Sequence, residues 1–142
     1  MLIVKRVENK FELEQAYKIR IEVFVKEQNV PEEIELDEYD NIADHVIACR
    51  NGEPVGCGRV FLQDDYARIG RVAVLPQERK KGTGKLICEK LISIAKEKGA
   101  KRFVLDAQVR AVGFYQKLGF YVTSDVFMDA GIEHVRMEAV IQ

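Results

Sequence analysis

With 142 residues, 47% of them hydrophobic and 32% charged, the chain has the size and composition of one ordinary globular domain. Its 22 basic and 23 acidic side chains leave a net charge of −1, which excludes broad nucleic-acid binding through many phosphate contacts. No apolar stretch is long enough to cross a bilayer, and Met1 to Val7 lacks the basic and apolar regions of a signal peptide, so a cytoplasmic location is the default expectation.

Leu2 to Val7 reads as a first strand. Asn9 is placed to cap a helix in which Leu13, Ala16, Tyr17, Arg20, Ile21 and Phe24 follow helical spacing and put an apolar stripe on one face. Pro31 interrupts the next segment, and an acidic run follows through Glu32, Glu33, Glu35, Asp37, Glu38, Asp40 and Asp44. That run is either a solvated loop or an attractor for a cationic ligand. His45 to Arg50 and Pro54 to Leu62 are strand-like, and Asn51-Gly52 between them signals a hairpin. Ala67 to Leu75 is a further strand that ends at Pro76. A helix over Gly82 to Lys98 buries Leu86, Ile87, Leu91, Ile94 and Ala95 and stops at Gly99. A strand over Arg102 to Ala107, a short helix over Ala111 to Leu118, and two strands over Phe120 to Phe127 and Glu133 to Ile141 complete the chain. Cys49, Cys57 and Cys88 form no C-x-x-C pair and read as small buried apolar residues. The expected architecture is a single α/β (α+β) domain over residues 1–142. Its mixed, twisted sheet has about six to seven strands, with helices on both faces and one right-handed parallel crossover between Ala67 and Ala107. Exposed strand edges near the C-terminus offer a route to a homodimer.

The most informative segment runs from Val72 to Leu86. A buried strand enters a polar loop, and Gly82 and Gly84 open an amphipathic helix. The first amides of a helix lack intrahelical partners and, with the helix dipole, attract anions. Glycine there lets a phosphate reach the backbone. Arg79, Lys80, Lys81 and Lys85 add positive charge, so a diphosphate is the natural occupant of a turn that also includes Thr83. A Walker A loop fails because Arg79 replaces its first glycine and Leu86 its Ser/Thr, and a Rossmann fingerprint fails at Ile87.

Arg79-Lys80-Lys81-Gly82-Thr83-Gly84 matches the Q/R-x-x-G-x-G/A signature of the GNAT N-acetyltransferase superfamily. Gln108-Val109-Arg110-Ala111-Val112-Gly113-Phe114-Tyr115-Gln116-Lys117-Leu118-Gly119-Phe120 resembles that superfamily's N-x-x-A-x-x-F-Y-x-K-x-G-F element, with Gln108 in place of the usual Asn. Arg20 to Pro31, Asp44-His45, Ile69 to Val72 and Asp129 to His134 are similar to the ElaA-like subgroup. The resemblance covers essentially the whole chain. It implies a GNAT fold, acetyl-CoA as cosubstrate with no metal, and direct attack of an amine acceptor on the thioester in a ternary complex. It also implies that Val72, Ala73 and Val74 pair with pantetheine like an added strand, that Gln108 contacts pantetheine, and that Tyr115 protonates the departing thiolate. Phe114, Leu118 and Phe120 read as core. The group that takes the amine's proton stays open among Glu27, His45 and His134. Arg59 and Arg71 are alternatives for binding an acidic acceptor. A non-catalytic CoA-binding sensor and an ATP- or NAD-binding protein are the competing functions.

Overall fold

A computed structural model describes residues 1–142. The strands are β1 (Leu2–Arg6), β2 (Asp44–Arg50), β3 (Glu53–Gln63), β4 (Tyr66–Val74), β5 (Arg102–Gln108), β6 (Tyr121–Val122), β7 (Phe127–Asp129) and β8 (Ile132–Val140). They form one eight-stranded sheet in the order β1-β2-β3-β4-β5-β8-β6, with β7 also paired to β8. Only β4 and β5 run parallel. The sequence places a single strand over Phe120 to Phe127, but the structure divides it into β6 and β7. The cause is local: the Ser124 hydroxyl accepts the Arg136 amide at 2.8 Å, taking a ladder donor away from a strand carbonyl.

Asn9 caps α1 (Lys10–Arg20) by accepting the Glu12 amide at 2.9 Å. The helix then widens into a π-helical turn, Ile21–Glu27. A one-turn helix α2 (Glu32–Glu35) and a 3₁₀ turn (Glu38–Asn41) fold the acidic segment. The β2–β3 hairpin closes at Asn51 and Gly52, with φ of 52° and 85°, the left-handed pair that a two-residue turn of matching twist requires. Helix α3 (Thr83–Glu97) buries Ile87, Cys88, Leu91, Ile94 and Ala95. Leu86, expected on that face, is 44% exposed. Helix α4 is shorter than expected (Val112–Gln116) and follows a 3₁₀ turn at Val109–Ala111. No helix is long and apolar enough to cross a membrane.

The sheet's alternation assigns the helices to opposite faces. Helix α3 packs on Val46, Ala48, Val60, Ala67, Ile69 and their neighbours in the main core. Helix α1 packs through Ala16 and Ile19, with Val23 of the π-helical turn, on Cys57 and Ala73 of the other face. Burial pushes the Cys57 and Cys88 thiols up to about 12, so both act as small hydrophobes. Cys49 is only half-buried. Helix α3 approaches β3 closely because Gly56 and Gly58 lie beneath it. A Cβ on Gly58 would stand 2.8 Å from Leu91 Cδ1 and 3.0 Å from Ile87 Cγ2. Gly58→Val is therefore expected to destabilise the protein by about 1–3 kcal/mol through overpacking, read as a lower denaturation midpoint.

Two irregularities shape the site. Cys57 pairs with Ala73 but Arg59 with Gly70, so β4 carries one extra residue there, and Arg71 takes a left-handed φ of 53°. The parallel pairing of β4 with β5 covers only Ala67↔Phe103 and Arg68↔Val104. Beyond it the strands separate and leave a cleft of about 1090 Å³.

Candidate active site

The cleft is walled by Val72, Ala73 and Val74 of β4 on one side and by Leu105, Ala107 and Gln108 of β5 on the other. Along the β4 wall, the Val74 carbonyl accepts Arg79 Nε at 2.9 Å, so that carbonyl is already engaged. At the cleft's mouth, Lys80 (φ 63°) and Gly82 (φ 85°) turn the chain into α3. No side chain caps this helix, which leaves its first amides facing outward from a glycine entry. Gly84 has a second role: a Cβ there would meet Phe114 Cζ at 3.3 Å. Phe114, expected in the core, is 37% exposed and lines the cleft.

The basic residues of the turn are not equivalent. Lys80 and Lys85 are exposed, and Lys80 lines the cleft. Lys81 leans toward Glu78, with 3.7 Å between charged atoms. The Arg79 guanidinium is spent on a two-pronged pair with Glu27, at 2.6 and 2.7 Å. The Thr83 side chain is buried and its hydroxyl has no hydrogen-bond partner, so only its main chain can face an anion.

Tyr115 lines the cleft and is held edge-on by Phe114 and Phe120 at 5.0 and 6.0 Å between ring centroids. Burial raises its phenol above the ordinary range, so it stays protonated at neutral pH. The Gln108 amide group donates to Gln28 Oε1 at 2.7 Å, and its oxygen accepts Arg110 Nε at 3.0 Å. One amide N–H remains for a ligand. Gln28, absent from the sequence-based site, thereby ties the end of the π-helical turn to β5. The partners lie 80 residues apart, and nothing in their local pattern links them.

The three candidates for proton acceptor separate clearly. Arg79 holds the Glu27 carboxyl below its usual range, which makes it a poor base. His45 is 7% exposed, does not line the cleft, and bonds through Nε2 to the Asp40 carbonyl at 3.0 Å. It is a structural residue, because a carbonyl can only accept and the ring must supply the proton. Burial lowers its pKa below 6.5. A depressed histidine adds stability that is complete above the unfolded value and is lost as pH falls through the folded one. His45→Gln is expected to lower the melting temperature at pH 7 and leave the acceptor KM unchanged, as thermal unfolding and steady-state kinetics would show. His134 does line the cleft. Its Nδ1 lies 2.8 Å from the Ile132 carbonyl, which places the proton there and leaves Nε2 as the basic nitrogen.

The acetyltransferase (GNAT) domain family matches residues 7–141. The chain belongs to the GNAT acetyltransferase family. A relative in Bacillus subtilis, the uncharacterized N-acetyltransferase YjcF, is 44% identical over 130 residues, which cover 91% of this chain and 93% of that protein. The crystal structure of Escherichia coli ElaA is similar with a TM-score of 0.88 at 27% identity, covering 98% of this chain and 99% of that one. A GNAT family acetyltransferase from Elizabethkingia anophelis, solved with acetyl-CoA bound, shares the fold with a TM-score of 0.77 at 20% identity, over 99% and 98% of the two chains. As a GNAT protein, the chain is an acyltransferase.

In this GNAT chain the acidic segment divides: Glu32, Glu33 and Glu38 are exposed, as a solvated loop requires, whereas Glu35, Asp37 and Asp40 are held by arginines. Arg20 donates to Glu35 Oε2 (3.0 Å) and to both oxygens of Asp40 (2.7 and 3.1 Å). Arg59 donates to Asp37 (2.7 and 3.0 Å) and Asp40 (2.8 Å). Arg71 lies 3.1 Å from Glu35 and 3.2 Å from Asp37. Burial opposes ionisation of Asp40, yet hydrogen bonds from Arg20, the Asp37 amide and Arg59 bring its pKa down to about 2. Three guanidiniums thus neutralise three carboxylates. Arg59 and Arg71, expected as candidates for an acidic acceptor, are committed to pinning residues 31–43 beside the cleft.

Proposed function

We propose that the cleft binds acetyl-CoA and that the chain transfers the acetyl group directly to an amine in a ternary complex. The supporting observation is the splay of β4 from β5 after two paired positions, beside an uncapped glycine entry to α3. Amides of Gly82, Thr83, Gly84 and Lys85, with Lys80 and Lys85, suit a diphosphate. Between the strands, Val72 to Val74 and the free N–H of Gln108 offer main-chain and amide partners to pantetheine. An amide near Val74 would hold the developing oxyanion, a contact whose loss typically costs ~3 kcal/mol.

His134 Nε2 accepts the amine's proton as its nitrogen attacks the thioester carbon. Tyr115 gives its hydroxyl proton to sulfur as the C–S bond breaks. Alignment of the two reactants in the cleft supplies much of the acceleration, with no covalent nucleophile.

The test is calorimetric titration with acetyl-CoA, for the wild type and Gly84→Val. The valine side chain meets Phe114 and pushes its ring into the cleft, so the dissociation constant is expected to rise about tenfold or more. Wild-type protein that ignores acetyl-CoA at millimolar concentration would sink the reading.

A further inference from the structure

We propose that the acceptor is an amine that also carries a carboxylate, which Arg68 and Arg136 hold on the cleft floor; this rests on the acetyl-transfer reading above. Arg68 of β4, Asp106 of β5 and Arg136 of β8 stand side by side. Asp106 is registered with Arg136, and Arg68 with Val104. All three line the cleft, on the face opposite α3, since Ala67, Ile69, Leu105, Val135 and Met137 alternate with them into the main core.

Their charges do not cancel. Arg68 Nη2 donates to Asp106 Oδ2. Arg136 Nε comes only within 3.5 Å of Asp106 Oδ1, and Oδ1 has no hydrogen-bond partner. Two guanidiniums therefore share one carboxylate, and the Arg136 side chain is 48% exposed. The neighbouring network of Arg20, Arg59 and Arg71 is balanced and has no such surplus. The remaining carboxylate of the lining, Asp129, sits exposed on the β7 rim. A carboxylate completes the arginine row, because the guanidinium fork presents parallel N–H groups to it. The same positive surplus lowers the pKa of an ammonium beside it and favours the free base that attacks. Space is available: a Cβ on Gly70, two residues along from Arg68 and also on the lining, would meet nothing within 4 Å.

The test compares amino acids with their carboxamides as acceptors in a thiol-release assay with acetyl-CoA. The carboxylates are expected to show about tenfold or greater kcat/KM, and Arg136→Met to abolish that advantage with the acetyl-CoA dissociation constant unchanged. Gly70→Val fills the open space without backbone strain and is expected to raise acceptor KM alone. Equal or faster turnover of carboxamides or diamines overturns the proposal. A second readout needs no turnover: the Nε–H resonance of Arg136 is followed while N-acetyl amino acids, then their amides, are titrated in. A shift with the carboxylates alone supports the site, and no difference between the two overturns it. Failure of the wild type to bind acetyl-CoA counts instead against the transfer reading, and the titration still decides the carboxylate site.

Discussion

Tyr115→Phe is expected to lower kcat about a hundredfold or more, with acetyl-CoA affinity nearly intact. The ring's place is set by packing against Phe114 and Phe120, which phenylalanine preserves. Only the hydroxyl is lost. Burial keeps that hydroxyl protonated well above neutral pH, so it is available to the sulfur throughout the working range. Single-turnover acetylation separates the chemical step from product release, and stopped-flow binding checks the affinity. A variant with unchanged kcat would show that sulfur departs without help from this phenol.

Arg20→Met should be the most damaging single change to stability. Arg20 is 1% exposed, and its removal takes a guanidinium from Glu35 and Asp40, at 2% and 7%, leaving one ion pair to each, from Arg71 and Arg59. Breaking a buried pair in this way costs about 3–5 kcal/mol, or roughly 10 °C or more in melting temperature for a chain of this size. Arg20→Lys should rescue little, because a point charge cannot reach Glu35 and Asp40 together. The network also sets an acid limit. Asp40 is depressed from 3.8 to about 2, so its contribution is complete above pH 3.8 and fades as pH falls toward 2. Guanidinium titrations of both variants at neutral and acidic pH check magnitude and sign together.

The parts of the molecule legible in the sequence are those governed by short-range rules. Asn9 and Asn51-Gly52 act through their own backbone neighbours, and the strand, turn and helix from Val72 to Glu97 follow from periodicity and two glycines. What escaped depends on distant pairing. Arg20 reads as one position of a helical stripe, and only the fold brings Glu35 and Asp40 to it from 15 and 20 residues away. The same holds for Arg79, whose motif suggests phosphate while Glu27, 52 residues earlier, captures it. Phe114 differs from its expected place for a simpler reason: an apolar side chain beside a cleft looks the same in sequence as one beneath it.

The extra residue at Arg71 changes the phase of β4. Ala67 and Ile69 point toward α3 before it; Val72 and Val74 do so after it, while Ala73 packs with the α1 side. Odd and even positions thus exchange sides midway along one strand. Excising Arg71 would restore strict parity, yet Val72, Val74 and Ala73 would keep the sides they have now, because the residue removed is the one that shifts the phase. A deletion of one codon would therefore spare the seats of both helices and cost the pairs of Arg71 with Glu35 and Asp37. Flattening the strand with Arg71 kept in the ladder would instead drive two branched side chains under α1 and leave a single methyl beneath α3.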